Sequence, residues 1–251
     1  MKLPANKSYR IIVYGDIHAP FQNDIAINLL CKLARAFEPN LAINIGDGVD
    51  FLALSSFLKT PRQEAGLQQE IDTYRRVQEK INKATGDAQR VFIVGNHERR
   101  LERKIKSQAP ALLGIIDIDK VLGLKDLGMS VVPTSLFIGN VAFIHGHLIR
   151  KHSGASPMAH LEQVGYTHSI IAGHSHRQAM VSKAVFGGQV FGVEIGHLAD
   201  ESKMDYLNGM ANWCPGCVLI EYKDGKLGVE LVPFLGKRKL TALWRGRLYR
   251  A

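Results

Sequence analysis

Several things are scarce in this chain. Three cysteines in 251 residues make no disulfide framework and fit a reducing compartment. No apolar run comes near the ~20 residues that a membrane-crossing helix needs. The first residues, Met1-Lys2-Leu3-Pro4-Ala5-Asn6-Lys7, lack the apolar centre of a signal peptide. We therefore expect a cytoplasmic protein with no membrane partner. Repeats, low-complexity tracts and linkers are absent too, which argues for one domain over residues 1–251. Acidic residues are missing from one place. From Leu235 to Ala251 there are six basic side chains (Lys237, Arg238, Lys239, Arg245, Arg247, Arg250) and no acid. The formal net charge is +9; without those six, 26 basic face 23 acidic residues, or +3. The excess is thus largely a basic C-terminal segment, 235–251. With Trp244 and Tyr249 it could track phosphates and stack bases. The alternation in Leu240-Thr241-Ala242-Leu243-Trp244 favours the plainer reading, a packed final hairpin with solvated charges.

What the chain does have is apolar content of 46%, enough for a sizeable core, and one device used five times. An apolar run ends in a glycine turn that carries metal-type ligands. Ile11-Ile12-Val13 leads to Tyr14-Gly15-Asp16-Ile17-His18, and Leu41-Ala42-Ile43-Asn44-Ile45 to Gly46-Asp47-Gly48. Val91-Phe92-Ile93-Val94 leads to Gly95-Asn96-His97-Glu98. Val141-Ala142-Phe143-Ile144 leads to His145-Gly146-His147, and Ile170-Ile171-Ala172 to Gly173-His174-Ser175-His176. In open α/β folds the ligand site lies at the carboxyl ends of the strands. The five turns are expected to converge there on a pair of metal ions.

The spacing predicts a βαβ beginning: strand 10–14, helix 21–37 capped by Asn23, strand 41–45. Leu67, Ile71, Tyr74, Val77, Ile81 and Ala84 mark a helix over 64–84, closed by Gly86. A strand at 90–94 and a basic helix at 98–108 follow, then short helices over 110–128. From there the chain is strand-rich, at 131–132, 136–138, 141–144, 170–172, 179–181, 190–193, 218–222 and 227–232, with a partly helical stretch inside 150–168.

The ordered set Asp-x-His, Gly-Asp, Gly-Asn-His-Glu, His, Gly-His-x-His across residues 14–176 resembles the calcineurin-like metallophosphoesterases. The resemblance implies an α/β fold, a four-layer sandwich with a central mixed β-sandwich flanked by helices. It implies that Asp16, His18 and His176 bind one metal, that Asn96, His145 and His174 bind the other, and that Asp47 bridges both. The two ions would be divalent and ~3.5–4 Å apart, with a bridging hydroxide as nucleophile. Manganese is the first expectation, and the donor types also suit Fe, Zn, Ni or Mg. Two carboxylates against two dications leave a net positive site, which suits a phosphate ester. In the family the residue at His97 contacts substrate, stabilising charge or protonating the leaving oxygen. Asp50 or Glu98 could orient a histidine. The family pattern selects His145 over His147 as the ligand and leaves His147 to face the phosphate or solvent.

The likeness extends further. Gly46-Asp47-Gly48-Val49-Asp50-Phe51, Ser55-Ser56-Phe57 and Asn212-Trp213-Cys214-Pro215-Gly216 resemble a phage and prophage subgroup described as repair-exonuclease-like. Gly48 stands where a bulkier residue is usual and suggests a wider entrance. Arg99 and Arg100 open the basic helix at the site and are candidate substrate contacts. His197 reads as structural, and His152, His160 and His168 as surface histidines. Cys214-Pro215-Gly216-Cys217 has redox spacing but precedes a late strand, so a turn with Trp213 over the rim is preferred. The expected function is a metal-dependent phosphoric ester hydrolase acting on nucleic acid (DNA or RNA) or nucleotide. The alternatives are a phosphomonoesterase for phosphoproteins or small esters, and a binding scaffold without activity.

Overall fold

The computed structural model describes residues 1–55, 66–204, 211–236 and 239–251. Ser56 and Phe57, the first two residues of the helix expected from 64, and Lys237 and Arg238 lie outside the described residues. In chain order the elements are β1 (Lys2–Leu3), β2 (Tyr9–Tyr14), α1 (Asp24–Phe37), β3 (Leu41–Asn44), α2 (Leu67–Thr85), β4 (Gln89–Ile93) and α3 (Arg99–Gln108). Next come α4 (Ile118–Leu122), β5 (Met129–Val132), β6 (Ser135–Ile138), β7 (Val141–Ile144), α5 (Ala155–Gln163) and β8 (Ser169–Ala172). The chain ends with β9 (Gln178–Val185), β10 (Gly188–Ile195), β11 (Gly216–Lys223), β12 (Lys226–Pro233), β13 (Thr241–Trp244) and β14 (Arg247–Arg250). No described helix is long and apolar enough to cross a membrane.

Two six-stranded sheets form the centre, in the orders β12-β11-β2-β3-β4-β5 and β1-β6-β7-β8-β10-β9. In the first, β2, β3, β4 and β5 run parallel; in the second, β7, β8 and β10 do. The sequence explains the layering. Alternate residues of a strand face opposite sides, and here both sides are apolar. Ile11, Val13, Ile43, Val91 and Ile93 of the first sheet meet Leu136, Val141, Phe143, Ile171 and Val193 of the second. The in-between residues Ile12, Tyr14, Ala42 and Phe92 face outward onto Leu29, Leu30 and Leu33 of α1 and Tyr74, Val77 and Ile81 of α2. On the other side Ala142, Ile170 and Ala172 pack with Leu161 of α5. Each fully buried aliphatic side chain contributes ~1.5–3 kcal/mol, so the expected α/β/β/α order is held by three apolar interfaces.

α1 starts where the Asn23 side chain accepts the N–H groups of Ile25 and Ala26, a side-chain N-cap. Its last turn, at Phe37, therefore lies at the end of the sheet remote from the glycine turns. β13 and β14 form a hairpin there. Trp244 and Tyr249 are each 9% exposed and join the core under α1; the Trp244 ring meets Phe37 edge-on at 5.9 Å. The Trp244 indole N–H donates to Glu230, and Arg245 and Arg247 lie over the Trp244 and Tyr249 rings. Neither ring offers a face for stacking bases. Arg245 pairs with Glu221 at 3.0 Å and Glu230 at 3.3 Å.

Candidate metal centre

Each ligand-bearing turn leaves the carboxyl end of a strand: β2, β3 and β4 in one sheet, β7 and β8 in the other. The turns share an unusual backbone. Asp16 (φ 48°), His18 (50°), Asp47 (50°), His174 (68°) and His176 (58°) all lie in the left-handed region. They are five of the ten described non-glycine residues that do so. Such conformations cost on the order of 1–3 kcal/mol each and persist only where surroundings enforce them. Glycine enforces them here by permitting close approach. A Cβ on Gly95 would stand 2.2 Å from Asp47 Oδ1, and one on Gly46 2.7 Å from Gly95 N.

The side chains form three groups whose candidate donor atoms lie within 4.8 Å of one another: Asp16, His18 and His176; Asp47, His145 and His174; and His18, Asp50 and His97. In the first group, His18 Nε2 faces His176 Nε2 at 3.0 Å, and His176 Nε2 lies 3.3 Å from Asp16 Oδ1. In the second, His145 Nε2 lies 2.8 Å from Asn96 Oδ1 and 3.2 Å from Asp47 Oδ2. Asp47 Oδ2 also reaches His18 Nε2 at 3.9 Å and His97 Nε2 at 3.8 Å, so it stands between the sets.

The donor chemistry fits cations. His18 Nδ1–H donates to Asp50 Oδ2 at 3.1 Å and His145 Nδ1–H to the Ile45 carbonyl at 3.0 Å. Each bond leaves Nε2 as a lone pair aimed inward, as metal-ligating histidines require. Burial, with the neighbouring histidines, lowers the His18 and His176 pKa values, which disfavours a proton between them. At His145, nitrogen, amide oxygen and carboxylate oxygen converge, and only a proton or a cation satisfies all three. Burial opposes protonation of His145, yet Asp47, Asp16 and Glu98 overcome it and push its pKa up to about 9. His145, His97 and His18 hold the Asp47 carboxyl well below its usual range, against the effect of burial.

The other named residues fall out differently. Asp50 accepts from His18, and its backbone carbonyl accepts from His97 Nδ1–H at 2.8 Å. Arg100 Nη1 donates to the same carbonyl at 2.9 Å and to Asp50 Oδ1 at 3.1 Å, with Nη2 3.3 Å from His97 Nε2. Of the two candidate acids for orienting a histidine, Asp50 meets His18 and His97 while Glu98 meets backbone instead. The Glu98 carboxylate accepts the backbone N–H groups of Gly95, Asp47, Gly48 and Val49 at 2.8–3.3 Å. It ties the β3 turn to the β4 turn, and burial with nearby Asp47 raises its pKa to about 7. Arg99 turns aside to the Pro133 carbonyl. His147 is exposed and meets the His160 ring at 5.0 Å.

His160 is buried, not a surface histidine, because it sits on the face of α5 that meets the sheet. His197, after β10, is fully buried and stacks on His176 with centroids 5.3 Å apart. Gly48 opens no entrance: a Cβ there would press on Tyr74 of α2 at 2.5 Å. Trp213 meets His176 at 4.1 Å, fixed by the Cys214 N–H donating to the His176 carbonyl at 2.8 Å. Cys217 is buried on β11, and burial raises its thiol pKa, the reverse of what a redox pair needs. Sequence reasoning missed Phe137, Val164 and Gln163, which line a cavity beside Asn96 and His145; they carry no motif.

The "Gene 54 protein" of Mycobacterium phage L5 is 26% identical to this chain over 245 residues, covering 92% of it and 96% of the phage protein. Among solved structures, Vacuolar Protein Sorting 29 from Cryptosporidium parvum is 13% identical, with 97% and 96% of the two chains covered and a TM-score of 0.47. Yfce, a phosphoesterase from E. coli, is also 13% identical, with 88% and 92% covered and a TM-score of 0.43. The sequence model described as "Calcineurin-like phosphoesterase" matches residues 9–178. That span takes in every strand-end turn of the candidate centre, and the chain belongs to the calcineurin-like phosphoesterase family.

Proposed function

We propose that the protein hydrolyses phosphate esters with two divalent cations, manganese first among them, and that its substrates are nucleic acids or nucleotides. The observation that carries the reading is the convergence of two ligand groups, each drawn from the turns of both sheets, on the single carboxylate of Asp47. Asp16, His18 and His176 would hold one cation, and Asn96, His145 and His174 the other, with Asp47 common to both. When bound, such a pair polarises the phosphoryl group and supplies a nucleophile from water at neutral pH.

The chain's own residues do the rest. His97 gives its Nε2 proton to the leaving oxygen as the P–O bond breaks. Its Nδ1–H is committed to the Asp50 carbonyl at 2.8 Å, which fixes the ring and leaves only Nε2 to act. Burial and the nearby Arg100 oppose protonation of the ring, but Asp47 and Asp50 outweigh them and raise the pKa, which favours the protonated, proton-donating form. Arg100, pinned by Asp50, places a second positive group beside Nε2 and stabilises charge on the phosphoryl oxygens. Neutral Asn96 contributes an oxygen without cancelling positive charge.

The nucleic-acid reading draws on α3, not on the C-terminal segment. α3 begins immediately after His97-Glu98 and carries Arg99, Arg100, Arg103, Lys104 and Lys106; Arg103 donates to the Asn96 carbonyl at 3.2 Å. A scaffold role is disfavoured because no ligand of the set is missing. The test is hydrolysis of labelled single-stranded and duplex DNA, beside a nucleoside monophosphate, with added Mn at two salt concentrations, together with metal analysis. Polymer cleavage that falls steeply with salt is expected. Phosphate release from monoesters alone would make the protein a phosphomonoesterase. Less than one bound metal per chain after Mn supplementation would remove the hydrolase reading.

A further inference from the structure

A cavity of about 410 Å³ opens beside Asn96 and His145. It lies on the outer face of the second sheet, where α5 packs on β8 and β10. Three neighbouring strands give it an apolar lining through Phe137, Ile144 and Ile170, and the end of α5 adds Val164 and Gln163. The Phe137 ring meets His168 edge-on at 5.5 Å. Gln163 Nε2 lies 3.5 Å from His147 Nε2. Asn96 and His145 of the candidate centre are among the residues lining the cavity, so it adjoins the place where a phosphate would be held and has room for an organic substituent.

We propose that the cavity seats a nucleobase, making the phosphate ester that reaches Asn96 and His145 a nucleotide or a nucleotide unit of a chain. This rests on the hydrolase reading above. The volume is within the range of small-molecule sites and exceeds what the side chain of a phosphorylated residue fills. The lining has the two properties of a base. Phe137, Ile144, Ile170 and Val164 offer apolar contact to flat faces, and the Gln163 amide and the His147 imidazole offer donors and acceptors to a polar edge. Stacking on an aromatic side chain tolerates any base, so the site selects for nucleotides without strong base preference.

The test compares two diesters with one leaving group, the 4-nitrophenyl esters of thymidine 5′-phosphate and of methyl phosphate, using Mn-loaded protein. The wild type should prefer the thymidine ester in kcat/KM by about tenfold or more, as loss of one base–aromatic stack implies. Phe137→Ala, and Val164→Trp at a half-exposed position, should each shrink that preference about tenfold. Equal kcat/KM for the two esters, or a preference that survives both substitutions, overturns the subsite. If neither ester reacts, the diester part of that reading falls, and saturation-transfer NMR with free adenosine decides the cavity by itself. Signal with the wild type that V164W loses supports a base site, and no signal with the wild type overturns it.

Discussion

The two ends of the first sheet use the same backbone conformation for different purposes. Asp47, after β3, has φ 50°, and Arg245, between β13 and β14, has φ 49°. At Arg245 the left-handed turn is what a two-residue hairpin demands, with Gly246 following at φ 73°. The side chain there finds ordinary partners in Glu221 and Glu230. At Asp47 no hairpin demands it. The conformation is one of five at strand ends, and all five aim donor atoms at a common space. The basic segment and the histidine turns both stood out as charge or donor clusters, yet only one set is aimed. What separates them is whether the strain around a residue points its donors inward toward each other.

The largest effect should come from breaking that aim. Asp47→Ala removes the one side chain common to both ligand groups. Bound metal should drop from two per chain toward none, and diester hydrolysis by more than about 10³-fold, because the stabilisation supplied by the cations goes with it. Metal analysis beside kinetics reads both; retention of two metals would deny Asp47 its bridging place. His97→Ala should spare the metals and lose on the order of 10²–10⁴-fold in turnover of an unactivated diester. An activated aryl ester, whose leaving group needs no proton, should lose far less. Wild-type turnover of the unactivated diester would end the proton-donor role.

Asp50→Asn tests the layer behind the ligands. Asp50 accepts from His18, lies 3.4 Å from His97 Nδ1, and pairs with Arg100. Metal affinity should fall about 10–100-fold, the usual cost of losing such support. The pH profile carries the sign. Asp50 is one of the groups that raise the His97 pKa, so its neutral replacement lowers that pKa. A proton donor is lost as pH rises through its pKa, so the alkaline fall in rate should move to lower pH. An unmoved alkaline limb under saturating Mn would separate His97 from that limb.

Much of this was legible in the sequence, for a physical reason. Short continuous apolar runs, buried on both faces, need no tertiary information to be recognised as strands, and glycine before Asp, Asn or His marks a chain that must bend sharply. Hence β2, β3, β4, β7 and β8 and their turns were readable, as was the capping of α1 by Asn23. Other features depended on packing between distant residues. Whether Gly48 widens a mouth or makes room for Tyr74 depends on how α2 lies on the sheet. That Glu98 grips four amides rather than a histidine follows from how close Gly46 and Gly95 approach. β1, two residues long, exists only because β6 offers an edge. His160 looked like a surface residue because α5 has little amphipathic pattern to reveal its inner face.

The smallest effect should come from the basic hairpin, and its smallness is the sharpest test of the comparison. Arg247 and Arg250 are exposed on β14. Glu221, which pairs with Arg245 in the adjoining turn, faces Arg10 near the start of β2. The metal-end turns leave the other end of that strand, Tyr14, four residues on and about 13 Å away at ~3.3 Å per residue. Exposed charges are screened within about 8 Å at physiological salt. The double substitution Arg247→Glu and Arg250→Glu should therefore leave DNA cleavage within about twofold and its salt dependence unchanged. Removing two true phosphate contacts would reduce the slope of log affinity against log salt by about 1.8 for duplex DNA. That reduction should appear instead for Lys104→Ala with Lys106→Ala on α3. A flattened slope from the hairpin variant would place nucleic acid across both ends of the sheet, and the hairpin would then be a second contact surface rather than a packed terminus.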